Sequence, residues 1–68
     1  MNDHVYKTIE ITGSSTKSAD DAIRIAIEKA AQTVKNMRWF KVTETRGNVE
    51  SGKIAYWQVT IQLGFTLE

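Results

Sequence analysis

The sequence contains no cysteine, no proline and a single histidine, His4. The absence of cysteine excludes disulfide bridges and thiolate metal sites, and one imidazole is too few for a histidine-based zinc site. No apolar run approaches the roughly 20 residues needed to span a bilayer, and the amino-terminal residues lack the pattern of a signal peptide. We therefore expect a cytoplasmic protein with no membrane partner and with neither disulfides nor zinc to stabilise it.

The sequence also lacks an excess of charge of either sign, because the net charge is +1 and positive and negative residues are interspersed. This composition gives no basic patch of the kind that binds nucleic acid. The sequence offers no nucleophile–base pair, carboxylate dyad or metal cluster that would support catalysis, and we expect a protein that is not an enzyme. Gly13, Ser14 and Ser15 do not begin a P-loop, because the second glycine and the Gly-Lys-Ser/Thr element are missing.

The length of 68 residues predicts one domain over residues 1–68. A domain of about 60 residues buries only about 60% of its unfolded surface, so it is marginally stable alone. Small scaffolds are usually stabilised by disulfides, metals or association. Since the first two are excluded, we expect association with further copies of the chain.

One segment has the pattern of an amphipathic helix, predicted from about Ala19 to Lys35. Ser18 is the predicted N-cap and Asp21 completes a capping box three residues later. Ile25 lies off the apolar stripe, as a surface residue or as a subunit contact. The stripe itself recurs at helical spacing and consists of Ala22, Ile23, Ala26, Ile27, Ala30 and Val34.

Three segments have the alternation of strands: residues 4–12, 39–49 and 53–67, the last two joined by a short loop at 50–52. The order β-α-β-β predicts an α+β fold, in which a three-stranded antiparallel sheet wraps around one helix. The inward residues of the first strand would be Val5, Ile9 and Ile11. Those of the third strand would be Ala55, Trp57, Val59, Ile61, Leu63, Phe65 and Leu67.

Trp39 and Phe40 are adjacent, so in a strand they point to opposite faces. A register with one bulged residue near the turn places Phe40 beside Leu63 in the core and Trp39 opposite Gly64 on the outer face. The same register places Gln58 on the outer face, opposite Thr45. Parity places Arg46 on the core side with Phe40, so Arg46 must lie beyond the end of the helix or at a bulge.

The outer face of the sheet, with Trp39, Ile54 and Tyr56, is too apolar to face only solvent. Trp39 and Gln58 would lie about 20 Å apart along this face, so one small ligand could contact both only across two subunits. The residues alone leave simpler alternatives open for all three side chains. In these alternatives, Trp39 is an interface residue without a ligand, Gln58 is a solvated strand residue and Arg46 is a surface charge.

Four segments of the chain resemble the dodecins, small flavin-binding proteins that assemble as hollow dodecamers. The segments are residues 18–23, 38–42, 46–47 and 58–68. The resemblance implies that Trp39 stacks on a flavin ring, that Gln58 hydrogen-bonds its polar edge, and that Arg46 is associated with the phosphate region of the flavin side chain.

The resemblance further implies flavin storage and photoprotective sequestration in a homododecamer, with flavins stacked between tryptophans at subunit interfaces. FMN is the favoured ligand, and riboflavin and FAD are alternatives. Many bacterial members have arginine where this chain has Thr66, so support for coenzyme A as a further ligand is weak. The competing hypothesis is an oligomeric interaction or nucleic-acid-binding module without flavin, since an exposed Trp and Tyr could stack on bases.

Overall fold

The computed structural model describes residues 3–67, so Glu68, the end of the last segment above, lies outside the described residues. The elements are β1 (Tyr6–Ser15), α1 (Ala19–Ala30), β2 (Met37–Glu50) and β3 (Lys53–Thr66). The sheet order is β1-β3-β2, and both neighbouring pairs are antiparallel. The predicted β-α-β-β fold with a three-stranded antiparallel sheet is confirmed.

The helix begins as predicted, with Ser18 as N-cap in an extended conformation, its side chain accepting a 3.0 Å hydrogen bond from the Asp21 amide. The capping box also predicts that the Asp21 carboxylate accepts a hydrogen bond from the Ser18 amide, and this part of the prediction is wrong. The Asp21 carboxylate instead accepts a 2.6 Å hydrogen bond from the Ser15 hydroxyl and forms an ion pair with Arg24. The carboxylate therefore ties the helix to the end of β1.

The predicted end of the helix at Lys35 is also wrong, because α1 ends at Ala30. The Ala31 amide still donates four residues back, to Ile27, but the two that follow donate three residues back, Gln32 to Lys29 at 3.2 Å and Thr33 to Ala30 at 3.0 Å. Such bonds are typical of a tightening last turn. Asn36, at φ 63°, then reverses the chain into β2.

The core forms where α1 packs against β1 and β3. Ala22 and Ala26 of the predicted stripe are buried against Val59 and Ile61 of β3. Gly13 of β1 permits this close packing, because a Cβ there would lie closer than 3.0 Å to the Ala26 side chain and to the Ala22 carbonyl. The rest of the stripe, Ile23, Ile27, Ala30 and Val34, is partly buried.

The β2–β3 hairpin turns through two residues, Ser51 and Gly52, not the predicted three, and Glu50 pairs with Lys53. Their φ values of 52° and 73° are both positive, as in the type I′ turns that suit the twist of hairpins. The predicted pairs of Phe40 with Leu63 and Trp39 with Gly64 are confirmed.

Between the turn and the Phe40–Leu63 pair, the register differs by one residue from the prediction. The pairing skips Ala55 of β3 near the turn, where an irregularity was predicted, and it also skips Thr43 of β2 between Val42 and Glu44. Gln58 consequently pairs with Arg46 instead of Thr45. A bulge shifts the following residues to the opposite face. Arg46 therefore lies on the outer face, and its predicted place on the core side with Phe40 is wrong. Of the two alternatives given for it, a bulge applies, but the bulged residue is Thr43 and not Arg46.

Several residues predicted to face the core are exposed in the single chain. Helix α1 contacts mainly β1 and β3, so Phe40 on β2 is 46% exposed although it faces the helix side of the sheet. Val5 precedes β1 and is 67% exposed. Trp57 is only partly buried. The core prediction for these residues is wrong for an isolated chain, because one 12-residue helix cannot cover two 14-residue strands and β1.

Candidate functional site

Trp39 lies at one end of the outer sheet face, where its indole covers Gly64. A Cβ at Gly64 would lie closer than 3.0 Å to three indole atoms, so the ring occupies the space that the missing side chain leaves. The Tyr6 ring packs edge-on against the indole, with centroids 6.1 Å apart and an interplanar angle of 60°. Trp39 remains 40% exposed, so part of the indole is available to a ligand or a partner.

Gln58 lies further along the same face, in a row of three residues that crosses the sheet. Ser14 on β1 and Arg46 on β2 are its two neighbours in the strand register. The Arg46 Nε–H donates to the Gln58 Oε1 at 3.1 Å, and the Gln58 Nε2 donates to the Ser14 hydroxyl at 3.3 Å. The amide is thus held from both sides.

Arg46 has further partners that fix its guanidinium group on the outer face. It forms an ion pair with Glu44, and its Nη1 lies 3.5 Å from the Thr60 hydroxyl. Thr60 in turn shares a 2.8 Å hydrogen bond with Thr12. The bulged Thr43 donates from its hydroxyl to the Thr60 carbonyl at 3.0 Å, which fills the space left by the irregular pairing.

The end of β1 beside Ser14 is anchored to the helix. Ser15 is 6% exposed, and its Oγ donates to Asp21 and accepts from the Lys17 amide at 2.9 Å. These contacts favour the charged carboxylate. The hydrogen bond from Ser15, followed by that from Arg24, lowers the pKa of Asp21 below its ordinary value.

A cleft of about 350 Å³ lies beside Gln58. This volume is at the lower end of the roughly 300–1,000 Å³ that is typical of small-molecule pockets. The cleft offers an aromatic ring, hydroxyl groups and the amide of Gln58 in one place. Its lining residues are Ser14, Ser15, Thr16, Tyr56 and Gln58.

The structure brings Arg46 and Gln58 together but leaves Trp39 apart from them. Trp39 pairs with Gly64 and Arg46 with Gln58, so the two places are six positions apart along β3. At the usual rise per residue this is about 20 Å, which is the separation predicted from the sequence. A small ligand that contacts both places must lie between two copies of the chain.

The contribution of Ser14 was not predicted, because the first strand was expected to end at Thr12. β1 continues to Ser15, and Ser14 faces outward like Thr12. In the structure Gly13 and Ser15 are buried and Thr12 and Ser14 are exposed. Because all four residues are small or polar, the sequence shows no apolar alternation there that could have extended the strand.

Within residues 3–67, no group of three His, Cys, Asp or Glu side chains is arranged to hold a metal ion. The same residues include no helix with the length and apolar character needed to cross a membrane. The chemical features that the outer face does present are an exposed indole and a fixed amide beside a guanidinium group.

These features define a small β-α-β-β protein whose helix covers part of one face of the sheet and leaves aromatic and polar side chains on the other. The sequence profile of the family described as Dodecin matches residues 5–68 of this chain. The dodecin of Thermus thermophilus is 36% identical over 64 residues, which are 94% of this chain and 93% of that protein.

Solved structures agree with this match. The dodecin from Streptomyces davaonensis superposes with a TM-score of 0.93 at 45% identity, covering 98% of both chains. The dodecin from Streptomyces coelicolor gives a TM-score of 0.94 at 44% identity, covering 100% of this chain and 97% of that one. The chain belongs to the dodecin family.

Proposed function

We propose that the protein binds flavin and stores it in a hollow homododecamer, where pairs of flavins stack between tryptophans at subunit interfaces. FMN is the favoured ligand, with riboflavin and FAD as alternatives. The observation that carries the proposal is the exposed indole of Trp39, which lies on Gly64 and is braced by Tyr6 on an otherwise open sheet face.

The residues fit an isoalloxazine ring chemically. A planar aromatic ring stacked on an indole gains about 0.5–1.5 kcal/mol per pair beyond its burial. The imide edge of such a ring has adjacent carbonyl and N–H groups, and the Gln58 amide offers one donor and one acceptor to match them. Arg46 adds a cation beside Gln58, which suits a phosphate on the flavin side chain.

The shape of the single chain supports assembly around the site. The chain measures 55 × 21 × 14 Å, and its radius of gyration is 14.2 Å, against about 11 Å for a compact domain of this length. Its long hairpin exposes large apolar side chains that a stable monomer would bury, namely Phe40, Val42, Val49 and Ile54. The proposal requires that this assembly place Trp39 of one chain within reach of a ligand held by Gln58 of another.

Storage fits the proposed site better than catalysis. A flavin that is stacked on both ring faces has no room for a substrate against its ring. Stacked indole would also quench the excited state of the flavin, which suits photoprotective sequestration. The described residues supply no nucleophile–base pair beside the indole or the amide, and we propose no reaction.

The first test is to purify the protein, record its colour and identify any released ligand by mass spectrometry. Native mass spectrometry measures the assembly in parallel. A yellow oligomer that releases flavin on denaturation supports the proposal. A monomer at micromolar concentration would contradict the assembly. A colourless oligomer that does not bind added flavin would favour an interaction module instead.

Two neighbouring substitutions separate the ligand from the fold. Trp39 and Phe40 are similarly exposed, at 40% and 46%, on opposite faces of β2. Trp39→Leu should keep the oligomer, weaken flavin binding about two- to twelvefold for each stacking pair lost, and brighten the bound flavin. Phe40→Leu is the matched control on the opposite face: its expected effect is on the stability of the oligomer, and the flavin that this oligomer binds should be quenched as in the parent. Equal flavin binding and quenching by parent and Trp39→Leu would place the flavin elsewhere.

Gln58→Ala tests the polar edge of the site. Removal of the amide leaves ligand donors and acceptors unpaired, which costs about 1–3 kcal/mol and weakens binding about five- to hundredfold. The oligomer should survive, because Gln58 lies on the outer face, away from the core of Ala22, Ala26, Val59 and Ile61. Fluorescence titration of FMN measures the affinity, and an unchanged value would place Gln58 outside the site.

A further inference from the structure

The row Ser14–Gln58–Arg46 determines which way the Gln58 amide points. Arginine has N–H donors and no acceptor, so the amide atom that faces Arg46 Nε must be the oxygen. The nitrogen then faces Ser14, whose hydroxyl can accept from it. The orientation follows from the chemistry of the partners and not from the assignment of amide atoms alone.

The two neighbours leave one half of the amide free. A primary amide has two N–H groups and two oxygen lone pairs, and Ser14 and Arg46 each use one. A lone pair of the Gln58 oxygen thus remains on the β2 side, and one N–H of its nitrogen remains on the β1 side. A ligand group that pairs with both is uncharged and has an adjacent N–H and C=O, as an imide does.

Ser14 is held firmly enough to orient its partner. It lies in the β1–β3 ladder directly opposite Gln58. The next residue, Ser15, is buried and bonded to Asp21 of the helix and to the Lys17 amide. The β1 end of the row therefore moves with the helix and the core and does not swing as a free loop.

We propose that Ser14 is a positioning residue for ligand specificity. Ser14 and Arg46 hold the Gln58 amide in one orientation, so the site selects a ligand whose N–H lies on the Arg46 side and whose carbonyl lies on the Ser14 side. This inference rests on the proposed function for the identity of the ligand. It gives Arg46 a role that does not depend on a phosphate group.

The test combines spectroscopy of the unliganded protein with titration. The ¹H–¹⁵N signals of the Gln58 side-chain amide report how fast its two protons exchange places. In Ser14→Ala this exchange should be faster than in the parent, and in Ser14→Thr, which keeps the hydroxyl, it should return toward the parent rate. Glu10→Ala is the control, since Glu10 is an exposed residue on the same face of β1 and pairs with Gln62 instead of Gln58.

Riboflavin is the ligand probe, because it has no phosphate for Arg46 to bind. Ser14→Ala should weaken riboflavin binding about threefold to tenfold, the loss of one hydrogen bond, and Ser14→Thr should restore it. Arg46→Lys, which keeps the charge but not the Nε donor, should have a similar effect. The parent should bind riboflavin methylated at its imide nitrogen more weakly than riboflavin itself. The difference in affinity between these two ligands should be smaller in Ser14→Ala than in the parent.

The outcomes distinguish a failure of the positioning role of Ser14 from a failure of the proposed function. If the parent binds riboflavin but the Gln58 amide exchanges at the parent rate in Ser14→Ala, or if Ser14→Ala binds as tightly as the parent, the positioning role is refuted. If the parent binds no riboflavin or FMN, the proposed function is refuted, and the ligand half of this inference with it.

Discussion

Gly64 controls the position of Trp39, and replacing it by alanine tests this directly. The alanine Cβ would lie closer than 3.0 Å to Cδ2, Cε2 and Cζ2 of the indole, a separation that real Cβ atoms essentially never show. The ring must therefore leave its place on the sheet and lose its edge contact with Tyr6. Overpacking of this kind typically costs about 1–3 kcal/mol of unfolding free energy.

The sign of the effect should reverse when the indole is absent. Gly64 has no positive φ, and glycine inside a strand is less favourable than alanine by about 0.5–1 kcal/mol. In a Trp39→Ala background, Gly64→Ala should therefore stabilise the protein by about that amount. The two residues should then show a coupling of about 1.5–4 kcal/mol in a double-mutant cycle.

The cycle requires four proteins and two measurements. Urea unfolding at one fixed protomer concentration gives the stability, because association makes the apparent stability depend on concentration. Fluorescence titration with FMN gives the affinity and the quenching. In the parent background, Gly64→Ala should weaken FMN binding and raise the fluorescence of the bound flavin. In the Trp39→Ala background it should change neither quantity much further.

Equal stability changes for Gly64→Ala in both backgrounds would refute the packing of the indole on Gly64. A destabilised Gly64→Ala protein that still binds and quenches FMN like the parent would leave the packing intact but separate it from flavin binding. The first result concerns the fold and the second the proposed function.

The face of each strand residue could be predicted from the sequence because side chains alternate with a period of two. This alternation was enough to pair Trp39 with Gly64 and Phe40 with Leu63 and to separate Trp39 from Gln58 along β3. It could not reveal how far the helix reaches over the sheet. Phe40 therefore faces the predicted side and is nevertheless nearly half exposed in the single chain.

The bulge at Thr43 could not be placed from the pattern, although the parity of Arg46 gave a bulge as one of two explanations. Thr43 is held by its hydroxyl bond to the Thr60 carbonyl, a contact between residues 17 apart in the sequence that leaves no local signature. The bulge moves Arg46 to the outer face, beside Gln58. The resemblance to the dodecins identified both residues as candidates, and the sequence pattern did not predict their contact.

Two further matched pairs test the energetics of the fold. The Thr66 hydroxyl is buried and has no hydrogen-bond partner within the described part of the chain, whereas that of Thr60 is paired. Thr66→Val should raise the free energy of unfolding by about 1 kcal/mol and Thr60→Val should lower it by a similar amount, with urea unfolding as the measurement. An equal loss in both variants would contradict the unpaired hydroxyl.

The second pair concerns acid. The pKa of Asp21 is lowered, chiefly by Ser15, so between the folded and unfolded pKa values the unfolded chain binds more protons. The stability that the charged carboxylate contributes is present above the ordinary pKa of 3.8 and is lost as the pH falls through the lower folded value. Asp21→Asn should flatten the loss of stability on acidification below about pH 4, whereas Asp20→Asn, which removes a charge from the same turn, should retain it. Thermal unfolding between pH 2 and pH 6 measures both variants, and parallel curves for Asp21→Asn and the parent would show that the Ser15–Asp21 bond does not form in solution.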